Sequence, residues 1–171
     1  LQARGAHVVA PGVGNLASGA QGLGRLADPD TILDAVRFVL GRNGDLAGRR
    51  VIVTAGGTRE PIDPVRYVSN HSSGKMGLAL AEAARDRGAD VTLIHTTEAA
   101  PPYAVTEVRV ASAAELRQAV LDTLPLADAL VMAAAPADFT PAHPADRKIK
   151  KSGDNESGLT LEMTRTPDIL R

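Results

Sequence analysis

Three short runs of this 171-residue chain hold residue types that chemistry needs. The first is Thr54-Ala55-Gly56-Gly57-Thr58-Arg59-Glu60-Pro61-Ile62-Asp63, directly after a compact β-branched stretch. Gly56 and Gly57 lack a Cβ, so the backbone can turn sharply there and let a ligand approach closely. An ordinary strand-to-loop turn uses the same freedom, and the dinucleotide fingerprint G-x-G-x-x-G is met in neither spacing nor content. The second run is Tyr67-Val68-Ser69-Asn70-His71-Ser72-Ser73-Gly74-Lys75-Met76-Gly77. Its Ser72 and Ser73 hydroxyls and the unpartnered N–H groups of a starting helix converge in one turn, an arrangement that suits phosphate. A well-capped helix with Lys75 facing solvent is the alternative. It is not a Walker A loop, because Met76 follows the lysine where a hydroxyl residue is needed and the earlier glycine is missing. The third run, Lys148-Ile149-Lys150-Lys151, is a local basic patch that reads either as an anion contact or as a solvated charge run.

The elements that must position these runs alternate in kind. Arg50 to Thr54, Asp90 to His95, Val105 to Val110 and Ala129 to Ala134 read as strands; Gly74 to Arg87 and Ala113 to Leu124 read as helices. Short continuous apolar strands separated by amphipathic helices predict an α/β fold with a mainly parallel sheet and helices on both faces. The loops after the strands then share one edge, where open sheets of this kind bind ligands. Ahead of this series, Ala6 to Ala10 reads as a short buried strand, Pro11 to Asp28 as a glycine-rich loop and Asp30 to Leu40 as a helix with Pro29 at its start. This first region is too small to fold securely alone, and a linker around Asn43 to Arg49 follows it.

Composition bounds the function. A length of 171 residues encloses one full-sized core. The 19 basic and 20 acidic side chains nearly cancel, so no broad positive field steers the chain onto nucleic acid or an anionic membrane, and an anionic ligand needs a local site. Cysteine is absent, which excludes disulfides and any thiol nucleophile from this chain. No apolar run approaches the ~18 residues needed to cross a bilayer and nothing reads as a secretory leader, so a cytoplasmic enzyme is the expectation.

The continuous stretch from Thr54 to Gly77 resembles the signature of phosphopantothenoylcysteine synthetases. Ala133-Ala134-Ala135-Pro136-Ala137-Asp138-Phe139 and the Lys148-to-Lys151 run are similar to two further features of that family, in the same order. The resemblance implies a Rossmann-like fold and a ligase of coenzyme A biosynthesis. CTP activates the carboxylate of 4'-phosphopantothenate as an acyl-cytidylate, pyrophosphate leaves, and L-cysteine displaces CMP to form an amide. Magnesium accompanies the nucleotide, with metal ligands the sequence does not name, and a homodimer or larger assembly is implied. Asn70 matches the asparagine of the acyl-cytidylate step and Lys148 a CTP-binding lysine; these are the catalytic expectations. Gly56, Gly57, Ser72, Ser73, Gly74, Lys75, Ala133, Ala134, Ala135 and Asp138 are expected at the nucleotide. Thr166-Pro167-Asp168-Ile169-Leu170 also matches the family and adds Pro167, Asp168, Ile169 and Leu170 to that site, with Thr166 as cap and Pro167 setting the first turn of a helix. Arg66, His71, Lys150 and Lys151 are expected to meet substrate or cover it.

Residues 1–45 separately resemble the end of a phosphopantothenoylcysteine decarboxylase domain, through Gly19-Ala20-Gln21-Gly22-Leu23-Gly24-Arg25-Leu26-Ala27-Asp28-Pro29. FMN is expected only for a complete domain of that kind. Ser18 stands where many relatives have the cysteine that donates a proton, and serine is a much weaker acid. The expected organisation is a decarboxylase remnant with linker over 1–45 and the first part of a synthetase over 46–171, incomplete at both ends of a longer parent. The competing readings are an inactive nucleotide-binding or dimerisation fragment and, against the missing glycine fingerprint, a nicotinamide-dependent reductase.

Overall fold

The structure, a computed structural model, describes residues 1–150 and 158–170. After a single 3-10 turn at Gln2–Arg4, the chain forms an antiparallel hairpin of β1 (Gly12–Asn15) and β2 (Gln21–Arg25). The predicted strand at Ala6 to Ala10 is irregular instead, and the glycine-rich loop after it holds the strands. An apolar run of five residues becomes a buried strand only beside a pairing neighbour. Here His7 turns its ring toward Phe38 and Tyr103, with Nε2 2.8 Å from the Tyr103 hydroxyl.

Helix α1 (Pro29–Gly41) has proline at its first turn, as its missing N–H allows. Strands β3 (Arg50–Ala55), β4 (Arg59–Pro61) and β5 (Tyr67–Ser69) lead into α2 (Lys75–Asp86). Then come β6 (Asp90–His95), β7 (Thr106–Arg109), α3 (Ala113–Thr123), β8 (Ala129–Met132), β9 (Phe139–Pro141) and β10 (Met163–Arg165). The central sheet has the order β7-β6-β3-β8, and its three pairings are all parallel. Strand alternation divides the core between the two faces. Val51, Val53, Ala55, Val91 and Leu93 meet Ala81 of α2 on one side, while Ile52 and Ile94 meet Leu116 and Val120 of α3 on the other. This is the predicted α/β architecture with helices on both faces. Helix α1 lies outside α2, tied to it by Arg37 and Glu82 at 3.0 Å.

Two small antiparallel ladders, β4–β5 and β9–β10, were not legible in the sequence pattern. Both stand beyond the carboxyl ends of the central strands. No helix among the described residues is long and apolar enough to cross a membrane.

Candidate functional site: two clefts at the sheet edge

Three loops meet where β3, β6 and β8 end. The pairing of β3 with β8 continues past both strands as a parallel bridge between Gly57 and Ala135. Around it the Ala135 N–H donates to the Gly56 carbonyl at 2.8 Å and the Thr58 N–H to the Ala135 carbonyl at 3.3 Å. Two buried threonines hold the same junction from inside. The Thr54 hydroxyl oxygen accepts from the Ala134 N–H (3.1 Å) and that of Thr58 from the Ala137 N–H (2.9 Å). Gly56 needs its lack of side chain: its φ is 89°, and a Cβ would lie 2.3 Å from Oγ1 of Thr96. That hydroxyl in turn donates to the Gly57 carbonyl at 2.7 Å.

A first open cleft of about 520 Å³ is lined by Gly57, Asn70, His71, Ser72 and Ser73 together with Arg59, Tyr67, Ser69, Thr96, Thr97 and Glu98. Its walls are hydroxyls with one amide, one imidazole, one guanidinium and the Glu98 carboxylate. Arg59 lies 5.5 Å from the centroid of the Tyr67 ring and pairs with Glu98 at 3.0 Å. A second cleft of about 690 Å³ is lined by Ala134, Asp138, Pro167, Asp168, Ile169 and Leu170, with Met132, Pro136 and Phe139 completing an apolar wall and Arg165 and Thr166 adding polar groups. Polar hydroxyls suit phosphate or carboxylate oxygens; an apolar slot with carboxylates at its edge suits a flat ring bearing N–H or O–H donors.

Asn70 joins the two clefts. Its amide Nδ2 donates to the carbonyl of Pro136 at 3.0 Å and, at 3.4 Å, to that of Ala135. Both neighbours are acceptors, which fixes the amide orientation and turns the side-chain carbonyl away from them. The donor expected to meet an intermediate therefore holds the β8–β9 loop in this structure, and the oxygen is the atom left to meet a substrate N–H.

The other expected residues are distributed unevenly. Gly74 is the buried residue before α2, with φ 72°, and its N–H donates to Ser72 Oγ at 3.4 Å, a long contact. Lys75 is exposed on the first turn of α2 and lines neither cleft; nor do Ala133 and Ala135, of which Ala135 contributes its backbone N–H and carbonyl to the junction. Lys148 and Lys150 are exposed and also line neither cleft, while Lys151 lies outside the described residues. Arg66 is engaged by Asp63, through Nε at 3.0 Å and Nη2 at 2.5 Å. The predicted helical start at Thr166 is a bend instead: the Thr166 hydroxyl donates to the Ala137 carbonyl at 2.6 Å, and the Asp168 carboxylate accepts from the Leu170 N–H at 3.0 Å. The chain there is drawn against the β8–β9 loop, so it forms the wall of the second cleft.

Sequence reasoning missed Arg59, Thr96, Thr97 and Glu98. The signal available was position, since Thr96 to Glu98 directly follow a core strand at the ligand-binding edge. It also missed Glu60, a buried carboxylate whose Oε1 accepts from the Ala113 N–H at 2.9 Å and so holds the start of α3. Behind the first cleft His95 is fully buried between Thr97 Oγ1 (2.8 Å) and Glu107 Oε1 (2.9 Å). The Arg109 guanidinium and then His95 hold the Glu107 carboxyl below its usual value.

Known proteins share this arrangement of elements. The chain is 49% identical over 176 residues to the coenzyme A biosynthesis bifunctional protein CoaBC of Mycobacterium bovis, a match covering 99% of this chain and 42% of that protein. It is 43% identical over 170 residues to a cysteine/cysteine sulfinic acid decarboxylase of an unknown prokaryotic organism, covering 96% and 47%. A crystal structure of the C-terminal domain of coenzyme A biosynthesis bifunctional protein CoaBC superposes with a TM-score of 0.61 at 41% identity, over 72% of this chain and 56% of that one. The chain thus spans less than half the length of these two curated relatives. The family model of the DNA/pantothenate metabolism flavoprotein C-terminal domain matches residues 46–171, which include the whole central sheet and both clefts, and the chain belongs to that family.

Proposed function

We propose that residues 46–171 serve the ligation of 4'-phosphopantothenate to L-cysteine through an acyl-cytidylate. The observation that carries this reading is the Asn70 bridge, which sets a polar cleft beside a ring-sized one with a single amide between them. A nucleoside in the second cleft meets Asp138 at its polar edge, and hydroxyls from Ser72 and Ser73 face anionic groups in the first. The substrate carboxylate oxygen attacks the α-phosphorus of CTP and pyrophosphate leaves; the amine of cysteine then attacks the acyl carbon, and CMP leaves as the amine loses its proton. The Asn70 side-chain oxygen accepts from that amine and orients it. Lys148 and Lys150 supply positive charge for the developing phosphate charge, and reaching it requires their segment to approach the clefts.

Magnesium enters this reading with the nucleotide. Among the described residues no group of three or more His, Cys, Asp or Glu could hold a metal ion. An ion arriving with the nucleotide would supply charge neutralisation at the phosphates, and the carboxylates lining the clefts that could help hold it are Glu98 in the first and Asp138 and Asp168 in the second. FMN belongs to a complete decarboxylase domain, and no step here passes through it. The same reading assigns residues 1–45 to the end of such a domain and places the chain in a homodimer.

The test supplies 4'-phosphopantothenate, L-cysteine, magnesium and CTP to the full-length protein and to this chain, and measures pyrophosphate and amide product. Product dependent on CTP supports the reading; none from the full-length protein overturns it. A nucleotide-binding or dimerisation module is the second reading, favoured by the position of Lys148 outside both clefts. CTP binding without pyrophosphate release in the presence of 4'-phosphopantothenate would select it.

A further inference from the structure

Asp63 accepts five hydrogen bonds, and no step above uses it. Its side chain has no exposed surface and lies in the turn between β4 and β5. Oδ1 accepts from the N–H groups of Val65 and Arg66, both at 2.9 Å. Those two contacts complete a local Asx-type turn and account for an aspartate at this place. The other contacts do something a turn does not need. Oδ2 accepts from Nε and Nη2 of Arg66 and also, at 3.1 Å, from the N–H of Ile149. Arg66 Nη2 then donates to the Ile149 carbonyl at 2.9 Å. Both backbone polar groups of one distant residue are therefore held by a single ion pair whose carboxylate is buried and whose guanidinium is partly exposed. A further backbone bond, from the Ala145 N–H to the Ile62 carbonyl at 2.9 Å, fastens the same segment nearby.

Ile149 separates Lys148 from Lys150. The hairpin that grips it continues from Arg66 through β5 to Asn70, four steps or about 13 Å of extended chain. We propose that Asp63 is a positioning residue: with Arg66 it clamps Ile149 and fixes the origin of Lys148 and Lys150 on the strut whose other end presents Asn70. This inference rests on the ligase reading for its catalytic meaning and on geometry for the clamp. Arg66, expected from family resemblance to meet substrate, is thereby a partner of the clamp. Its hydrogen bonds, with those of the Val65, Ile149 and Arg66 N–H groups, hold the Asp63 carboxyl far below the usual carboxylate range, so the pair stays charged.

The experiment has two arms, both on the full-length protein. In the first, amide hydrogen exchange is followed at Ile149 in the unmutated protein and in Asp63→Asn, which retains shape but turns an N–H toward the Arg66 fork. The expected result is exchange faster by at least about tenfold at Ile149 with core amides of β3 and β6 unchanged; an unchanged rate at Ile149 overturns the clamp. The second arm is a double-mutant cycle in kcat/KM for CTP. Asp63→Asn is expected to lose on the order of 10- to 100-fold alone, and less than about threefold in a Lys148→Ala background, because the group it positions is already gone. Equal losses in both backgrounds show a merely structural role and overturn the proposal. If Asp63→Asn lowers the folded population, Arg66→Lys keeps the charge, removes the fork and enters the same two arms. No product from the unmutated protein removes the ligase reading, and the exchange arm then decides the clamp by itself.

Discussion

At the scale of single residues, Asn70 is where the chemistry and the architecture coincide. Asn70→Asp replaces an amide donor facing two carbonyl oxygens with a carboxylate, so it repels the β8–β9 loop and adds negative charge beside an anionic intermediate. The expected outcome is loss of amide product by roughly 100-fold or more, with the fold retained. Rapid quench with labelled CTP shows whether the intermediate fails to form or accumulates without capture by cysteine. Near-normal progress through both half-reactions would remove Asn70 from the chemistry. Gly56 is a different case, since it serves geometry alone. Gly56→Ala forces a φ of 89° on a residue with a side chain and drives its Cβ into Thr96. A loss of about 2 kcal/mol or more in urea unfolding is expected, with the junction between the clefts distorted.

Among the elements, α2 shows two effects in competition. Replacing a helix glycine with alanine ordinarily stabilises by about 1 kcal/mol. At Gly77 the new Cβ would lie 2.5 Å from Cβ of Ala55 and 2.6 Å from the Thr54 carbonyl oxygen. Overpacking of that kind costs about 1–3 kcal/mol and involves strand backbone that cannot give way, so Gly77→Ala is expected to lower the urea midpoint. A raised midpoint would show that α2 can lift from the sheet. The central strands and both covering helices were legible because apolar runs and an alanine-rich amphipathic pattern declare themselves within one segment. β4, β5, β9 and β10 span three residues each, too short for any period; β4 and β5 close a local hairpin, while β9 and β10 exist through partners distant in sequence. Ala6 to Ala10 failed in the opposite sense, having the pattern of a strand and no pairing strand among the described residues. The site followed the same division: Asn70 and Ser72 stood in a recognisable run, whereas Thr96, Thr97 and Glu98 joined them only through the sheet.

For the molecule as a whole, the matched family segment begins at residue 46, but packing crosses that boundary. Arg85 of α2 has no exposed side-chain surface; it reaches Asp86 at 2.6 Å, the Tyr103 carbonyl at 3.0 Å and Asp34 of α1 at 3.6 Å. Deleting residues 1–45 removes one carboxylate and admits water while leaving Asp86, the Tyr103 carbonyl and, at 4.0 Å, Glu82. Stability should fall by roughly 1–3 kcal/mol, below the full cost of breaking a buried pair, as read from urea unfolding of the two lengths. Acid acts more widely. Asp63, Glu107 and Asp128 all have carboxyls held below their usual values, by hydrogen bonds from Arg66, Arg109 and the Arg50 N–H respectively. Groups depressed in the folded state contribute stability above their unfolded pKa and lose it as pH falls through the folded one. Stability is therefore expected to hold at neutral pH and to decline as pH falls below the ordinary glutamate and aspartate values of 4.5 and 3.8. Asp63→Asn should differ from the unmutated protein most at neutral pH and least in strong acid, as circular dichroism across that range would show.

The placement of the two tyrosines gives the chain built-in optical probes. There is no tryptophan, so ultraviolet emission comes from Tyr67 and Tyr103 alone. Tyr103 touches His7 and Phe38 at the seam between the first region and the rest, whereas Tyr67 forms a wall of the first cleft beneath Arg59. Changing Tyr103 to phenylalanine leaves one emitter, located where a ligand would arrive, and changing Tyr67 leaves one that watches the seam. Occupancy of the cleft and detachment of residues 1–45 thus become separate signals in an unlabelled protein.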